Sequence, residues 1–497
     1  MTIPAMTALP LNTSASVYRR AALGILLAGL LAWWLADTRI VTTEPGQVLR
    51  QMLAGLLQPD FFATDQLASA VAMTLVFALQ GVALSIGCGL LLALLWRHRA
   101  VRAFCAVIRA VHELFWGLIF LQLFGLSTLT GLLAIAVPYS GIFAKVFGEL
   151  LEESDPAPAN ALPAASRPLS VLFYARLPLI WIHIRQYGAY RVECAIRAAA
   201  ILGFIGLPTL GFHLHSALRQ GHYSEGAALL YLLLALIVSQ RLWLRARLMP
   251  AWLLISLLFA APHTALNSEQ LWQFVSTDIV PAPLRDSGAG PLWPWLADLA
   301  HGQMLPGLIN TVIVAVAALL LTALLALLSV PLVSRQFGHP VSRAVGQLLL
   351  VVSRSLPEFL LAFILLVLLG PSMLPGIIAL AIHTGAIVGY LNGRFTDSLV
   401  LRQDSGRGLN RYVYEVLPRS AANLLAFLLY RFEILIRETA VLGILGIATL
   451  GFYIDSAFAE LRLDRAILLI GAGVILNLLV DAGSRRLRQW LRLHGKH

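Results

Sequence analysis

The charged residues best suited to chemistry in this sequence lie inside apolar stretches, and they occur twice. Tyr190-Arg191-x-Glu193-x-x-x-Arg197 recurs as Tyr430-Arg431-x-Glu433-x-x-x-Arg437 at an offset of 240. Over residues 190–218 and 430–458, 15 of 29 positions are identical, with Gly203, Gly206 and Gly211 matching Gly443, Gly446 and Gly451. Leu177-Pro178 and Leu417-Pro418 keep the same offset, and further upstream Arg109/Glu113 parallels Arg354/Glu358. Hydrophobicity alone does not place Arg, Glu and Gly together in this way.

Two readings of the charges stand. Glu193 and Arg197, four apart on one helical face, neutralise each other, as do Glu433 and Arg437. Alternatively the arginines line an anion pathway, because guanidinium offers fixed donors that match oxyanions. If Pro178 and Pro418 occupy a helix's first turn, Arg191 and Glu193 lie about 18–21 Å along it at 1.5 Å per residue, deep in a membrane-spanning element. An ionised group there costs at least ~2.5 kcal/mol, so these side chains face protein or water. The glycines likewise have two readings, close helix packing or a break exposing backbone to a cavity, which Pro208 favours in one copy. Arg109/Glu113 and Arg354/Glu358, also four apart, read as structural pairs.

The elements that hold these residues are membrane spans. Of 497 residues, 59% are hydrophobic and 12% charged, and mean hydropathy is +0.80; a soluble domain carries about a quarter charged residues. Apolar runs such as 67–96, 305–333 and 348–369 reach the ~20 residues that a span requires. Twelve spans are expected, near 21–37, 67–96, 103–123, 126–147, 180–206, 226–243, 250–265, 305–333, 346–369, 374–391, 421–447 and 466–483. The net charge of +11 is almost entirely arginine in short loops, which is how membrane orientation is set rather than how nucleic acid is bound. The basic loops and the C-terminal tail alternate with acidic stretches around 37–65, Glu225, 269–286 and 455–464, which places both termini in the cytoplasm. Arg19-Arg20 before Ala21–Ala36 fits an uncleaved first span. Cys88, Cys105 and Cys194 fit neither a disulfide framework nor a metal site.

The fold expected is all-α and polytopic, with about twelve spans in two parallel six-helix repeats, residues 1–248 and 249–497. An even count per half gives a parallel repeat with a pathway at the interface between halves. No GxxxxGK[ST], HExxH, CxxC or GxSxG pattern is present, so no nucleotide is held by a P-loop and no cofactor or metal is expected. Such a chain is either ion-driven or powered by a partner.

The duplicated stretches resemble the permease family of ATP-binding-cassette importers, and within it the phosphonate/phosphate-type permeases. The resemblance rests on RAVHELFWGLIF, RSLPEFLLAFIL, the Leu-Pro closing each cytoplasmic loop, and YRxExxIRxxxxLGxxGxxxLGF, and it covers most of 64–245 and 305–490. It implies two permease chains fused in one, in a bacterial inner membrane, with a cytoplasmic ATPase dimer and an extracytoplasmic substrate-binding protein as partners. In the family, a Glu-Ala-Ala…Gly loop forms the helix that docks on the ATPase. Here its Glu falls on Ala159, its last Ala on Ala161 and its Gly on Ala165. Ser154-Asp155-Pro156 still makes a helix start, while Pro163 and Pro168 disturb the helix. The second loop, with Ser405 and Gly406 before Pro418, is four residues shorter and barely matches. The phosphorus oxyanion has rivals: another importer substrate such as ferric iron, or ion-coupled secondary transport on the same spans.

Overall fold

Residues 11–163, 166–244, 248–260, 268–285, 291–337, 339–402, 406 and 408–491 are described by the computed structural model, and every element in them is helical. The first run is α1 (Leu11–Leu35), α2 (Pro45–Leu57), α3 (Leu67–Leu94), α4 (Arg99–Ala110), α5 (Glu113–Phe124), α6 (Thr128–Glu153), the single turns α7 (Ala157–Asn160) and α8 (Pro168–Val171), then α9 (Leu177–Leu202), α10 (Leu210–Arg219) and α11 (Tyr223–Trp243). The second is α12 (Met249–Phe259), α13 (Ser268–Gln273), α14 (Ala282–Arg285), α15 (Leu292–Leu299), α16 (Leu305–Val333), α17 (Pro340–Ser355), α18 (Glu358–Leu369), α19 (Met373–Ser398), α20 (Leu409–Arg411), α21 (Leu417–Val441), α22 (Leu450–Ala459) and α23 (Leu463–Trp490).

Among the described residues seven helices are long and apolar enough to cross a membrane as single elements, and four more spans are bent pairs, making eleven. The expected twelfth, 250–265, is represented by α12, whose 11 residues fall short of the ~20 a span requires; 261–267 lie outside the described residues. The segments 103–123 and 346–369, read as continuous spans, are each broken: α4 meets α5 at 89°, and α17 meets α18 at 92°. The break falls between Arg109 and Glu113 and between Arg354 and Glu358, so these residues do not share a helical face. Instead Arg354 lies over the Tyr390 ring at 4.7 Å, and Glu358 lies 3.3 Å from His383, whose Nδ1 contacts the Leu356 carbonyl at the bend.

Pro178 and Pro418 fall in the first turn of α9 and α21, but neither begins the helical path. The helical path starts at Pro168 and at Leu409, and in each copy one wide π-turn, Leu172–Arg176 or Tyr412–Val416, precedes the Leu-Pro pair. A proline ring clashes with the carbonyl four residues back, and the wider turn relieves that clash.

The chain forms two compact units. One comprises Thr42–Met304 with Tyr453–Val474, and α3, α6 and α9 pack together in it. Gly81 and Gly89 let α3 approach Ile135 and Phe143 of α6, since a Cβ at either would collide with those side chains. The other comprises α1 with the chain to Val41, Leu305–Phe452 and the residues from Ile475, and is built around α16, α19 and α21. Here the small residues are on the other partner: Gly385 and Gly389 of α19 face Leu325 and Ser329 of α16. Small residues set the packing where hydrocarbon gives helices no hydrophobic reason to associate.

Each unit takes its peripheral helix from the other half of the sequence. α1 packs on α16, with Gly29 against Leu320, and its end is tied down by Val41 N–H to the Leu369 carbonyl (2.8 Å) and Met373 N–H to the Asp37 carbonyl (2.9 Å). Reciprocally, α12 packs on α3, where the buried Gln80 amide donates to the Ser256 and Ala260 carbonyls at 3.0 and 2.9 Å. Replacing Gln80 with Leu is expected to lower stability by about 1–3 kcal/mol, because it strands α12's terminal carbonyl in an apolar setting. Thermal unfolding in lipid or detergent would measure it, and an unshifted Gln80→Leu midpoint would mean that the amide does not anchor α12.

Candidate functional site

The duplicated motif lies on α9 and α21, and each helix is interrupted at the same point. A short 3₁₀ turn, Gly203–Ile205 or Leu442–Leu445, leads to Gly206 (φ +96°) or Gly446 (φ +88°), and the chain resumes as α10 or α22 with a bend of 51° or 44°. The left-handed φ calls for glycine, because a Cβ there meets the following carbonyl. The flanking glycines serve a second purpose. A Cβ on Gly203 would overlap the backbone nitrogen of Phe212, one on Gly211 would overlap the Ala200 carbonyl, and one on Gly443 would overlap the nitrogen of Phe452. Break and close packing are therefore one device.

A helix restarting inside a membrane carries N–H groups without intrahelical partners, and here two threonines supply one. Thr74 Oγ1 on α3 accepts from Leu210 N–H at 3.0 Å while donating to the Ala70 carbonyl; Thr311 Oγ1 on α16 accepts from Leu450 N–H at 3.0 Å while donating to the Gly307 carbonyl. Both are fully buried. Sequence reading missed them because 74 and 311 are related by an offset of 237 rather than 240. The signal was a lone Thr in the first third of each half's longest apolar run.

The charges around the two breaks differ. Arg191 is held in a cage of tyrosines: its Nε and Nη2 donate to Tyr187 Oη at 3.1 and 2.9 Å, and its guanidinium lies over the rings of Tyr139, Tyr187 and Tyr190 at 5.2, 5.3 and 5.8 Å. Aligned on the repeat, Tyr187 becomes Phe427 and Tyr139 becomes His383, which the α17–α18 bend engages. Arg197 Nη2 lies 3.7 Å from Cys194 Sγ; Arg437 Nη2 lies 3.5 Å from Glu438, where the first copy has Ala198. Glu193, Arg431 and Glu433 are partly buried on the same two helices.

Of the cytoplasmic-loop positions, Ser154 ends α6, and Asp155 Oδ1 accepts from Ala157 N–H at 2.9 Å to start α7, the single turn that holds Ala159 and ends at Ala161 before Pro163. Ala165 and Ser405 lie outside the described residues. In the second copy no helix is found between Ser398 and Leu409 among the described residues, Gly406 included. Instead 399–402 is pinned to the π-turn by buried Glu415, which accepts from Arg402 N–H at 2.7 Å and lies 3.3 Å from Arg419.

A duplicated set of spans with a broken, arginine-bearing helix in each copy defines a multi-pass membrane permease. The chain is 26% identical over 433 residues to the phosphate-import permease protein PhnE of Mycolicibacterium smegmatis, covering 79% of this chain and 77% of that protein. It is 30% identical over 225 residues to the phosphite transport system permease protein PtxC of Stutzerimonas stutzeri, covering 43% of this chain and 81% of the relative. A putative cryptic phosphonate transport system permease protein, PhnE2 of Escherichia coli K12, matches at 27% over 117 residues, 22% of this chain and 96% of the relative. No family model and no solved structure matches. The chain belongs to the ABC-importer permease family of phosphonate, phosphite and phosphate transport systems.

If the threonine caps hold the breaks in place, Thr74→Val should cost about 1 kcal/mol, the usual value of a lost cap, and Thr74→Ser should cost much less. The comparison is made by thermal unfolding of the purified protein in lipid. Equal stability of the Val and Ser variants would remove the cap from the account.

Proposed function

We propose that this chain carries a phosphorus oxyanion through a bacterial inner membrane, powered by a cytoplasmic ATPase dimer and loaded by an extracytoplasmic binding protein. The observation that carries this reading is the duplicated broken helix, which carries two arginines within four turns of an interruption of the backbone in both copies. Partly buried guanidinium groups suit tetrahedral oxyanions, which they bind through paired parallel donors. The pathway residues of this reading are Arg191, Glu193 and Arg197 with Arg431, Glu433 and Arg437, together with the glycines of the two breaks. The repeat halves are 1–248 and 249–497, with both termini in the cytoplasm, and hydrolysis resides in the partner. The relatives named for phosphate, phosphite and phosphonate support the substrate class.

Glu438 favours a second role for one arginine, as a partner of carboxylates. The two roles separate in uptake per folded molecule. If Arg437 attracts the oxyanion, Arg437→Gln lowers uptake at normal protein level, and adding Glu433→Gln and Glu438→Gln does not restore it. If Arg437 only neutralises carboxylate, the single change destabilises the protein and removing both carboxylates with it restores folding and uptake together, because the lone buried charge is the expensive species. Uphill uptake by this chain alone, driven by a proton or sodium gradient, would reject ATP coupling altogether.

The loops predict unequal docking. A cysteine at Ser154, beside the capped turn of α7, should crosslink to the ATPase more readily than one at Ser405, and both should be labelled only from the cytoplasm. Equal crosslinking would show that the second loop docks as well as the first.

A further inference from the structure

On the face assigned to the outside by the charge pattern, a cavity of about 320 Å³ opens between the start of α23 and the segment that carries α14 and α15. Arg285, Arg462 and Arg465 line it, with Trp295, Asp278 and Asp464. The cations are differently committed. Arg465 lies over the Trp295 ring at 5.7 Å. Stacking occupies the face of a guanidinium and leaves its edge N–H donors for a second partner. Among the described residues no side chain or carbonyl accepts from those donors. Arg462 Nε lies 3.3 Å from Glu460, but both are half exposed, and such surface pairs hold weakly.

The carboxylates are not equivalent either. Asp464 is buried, and its two oxygens already accept from backbone, Oδ2 from Ala282 N–H at 3.0 Å and Oδ1 from Arg465 N–H at 2.9 Å. It ties the two walls together and opposes an entering anion less than its formal charge suggests. Asp278 alone is left to repel one.

The first repeat shows what this turn is without such a role. There the left-handed position is Gly221 (φ +79°), followed by His222, Tyr223, Ser224 and Glu225. That turn is closed over by other groups: Asp60 N–H donates to the Ser224 carbonyl, and Thr64 Oγ1 donates to Glu225 at 2.5 Å. In the second repeat the left-handed residue is Leu461 (φ +57°), the one such non-glycine among the described residues, and Arg462 and Arg465 stand where His222 and Glu225 were. The second copy thus keeps a strained backbone and exchanges an acid and an imidazole for two arginines at the mouth of a cavity. Strain retained at one copy only is a mark of a site.

We propose that this pocket is an oxyanion-binding site that takes a tetrahedral phosphorus oxyanion on the outer face before it enters the helices, with Arg465 and Arg462 as its principal donors. The ligand's identity rests on the import reading above; the anion site itself does not.

The probe is radiolabelled inorganic phosphate, in equilibrium dialysis against the full chain in lipid nanodiscs, with folding checked by thermal unfolding. Saturable binding at one site per chain is expected. Arg465→Gln should weaken it at least tenfold and Arg462→Gln several-fold. Asp278→Asn should tighten it a few-fold by removing the like charge, and Arg343→Gln, an equal change in net charge elsewhere, should leave it unchanged. Absence of saturable binding, or binding that Arg465→Gln and Arg462→Gln both leave intact, overturns the proposal. So does an Arg465→Gln defect confined to association with an extracytoplasmic binding protein, because the pocket would then be a protein-docking surface. Phosphate or phosphite uptake by cells tests the import reading separately. Uptake without pocket binding leaves the importer and removes the site, while pocket binding without uptake does the reverse.

Discussion

A backbone that stops and restarts within a membrane protein must find partners for its freed N–H and C=O groups in the protein or in a water-filled pathway, because lipid offers none. That constraint governs both copies of the arginine helix. Each break has a left-handed glycine for the reversal, two glycines that let the backbone fold against itself, and a threonine borrowed from a neighbouring span to receive the first N–H of the restarted helix. None of these works alone. Without the glycines the strands of the break collide, and without Thr74 or Thr311 the helix restarts with an orphaned donor. The position of the arginines follows from this arrangement, since they lie within four turns of the break on the element that it fixes.

Much of this was legible in the sequence because the chain is its own comparison. The offset of 240 located the helix, the glycines and the Leu-Pro pair; the π-turns, which the sequence did not announce, keep the same offset, with bounds 172–176 and 412–416. What escaped was whatever depends on partners distant in the chain. Thr74 and Thr311 sit at a different offset. The right-angled bends at Val111-His112 and Leu356-Pro357 fall between charged residues four apart, a spacing that a helix would also give, so two broken spans read as continuous ones and Arg109/Glu113 as a helical pair. The α7 start was visible at Ser154-Asp155-Pro156 because caps are local chemistry, as was its early end at Pro163. The tyrosine cage of Arg191 was not, since Tyr139 lies on α6, 52 residues earlier in the chain.

The copies have diverged in charge more than in shape. Their helices, bends and caps correspond almost residue for residue, yet the first surrounds its arginine with phenols and a thiol while the second supplies a further carboxylate. The cytoplasmic loops diverge likewise, one keeping a capped helical turn and the other a strap held by Glu415. Fusion permits this. Two identical chains would have to carry every substitution twice, whereas one chain can specialise each half.

The exchange of α1 and α12 has a consequence for how the protein is made. α1 leaves the ribosome well before α16, on which it packs and which follows about 270 residues later. At 5–20 residues per second that is a wait of roughly 15–50 s. Throughout that interval α1 lacks the helix it packs on, and its apolar flank, with Leu27, Leu30, Leu31 and Trp34 more than half exposed even in the finished unit, suits it to lipid. The unit around α16 is thus closed by an earlier helix waiting for a later one, and synthesis order becomes part of the architecture.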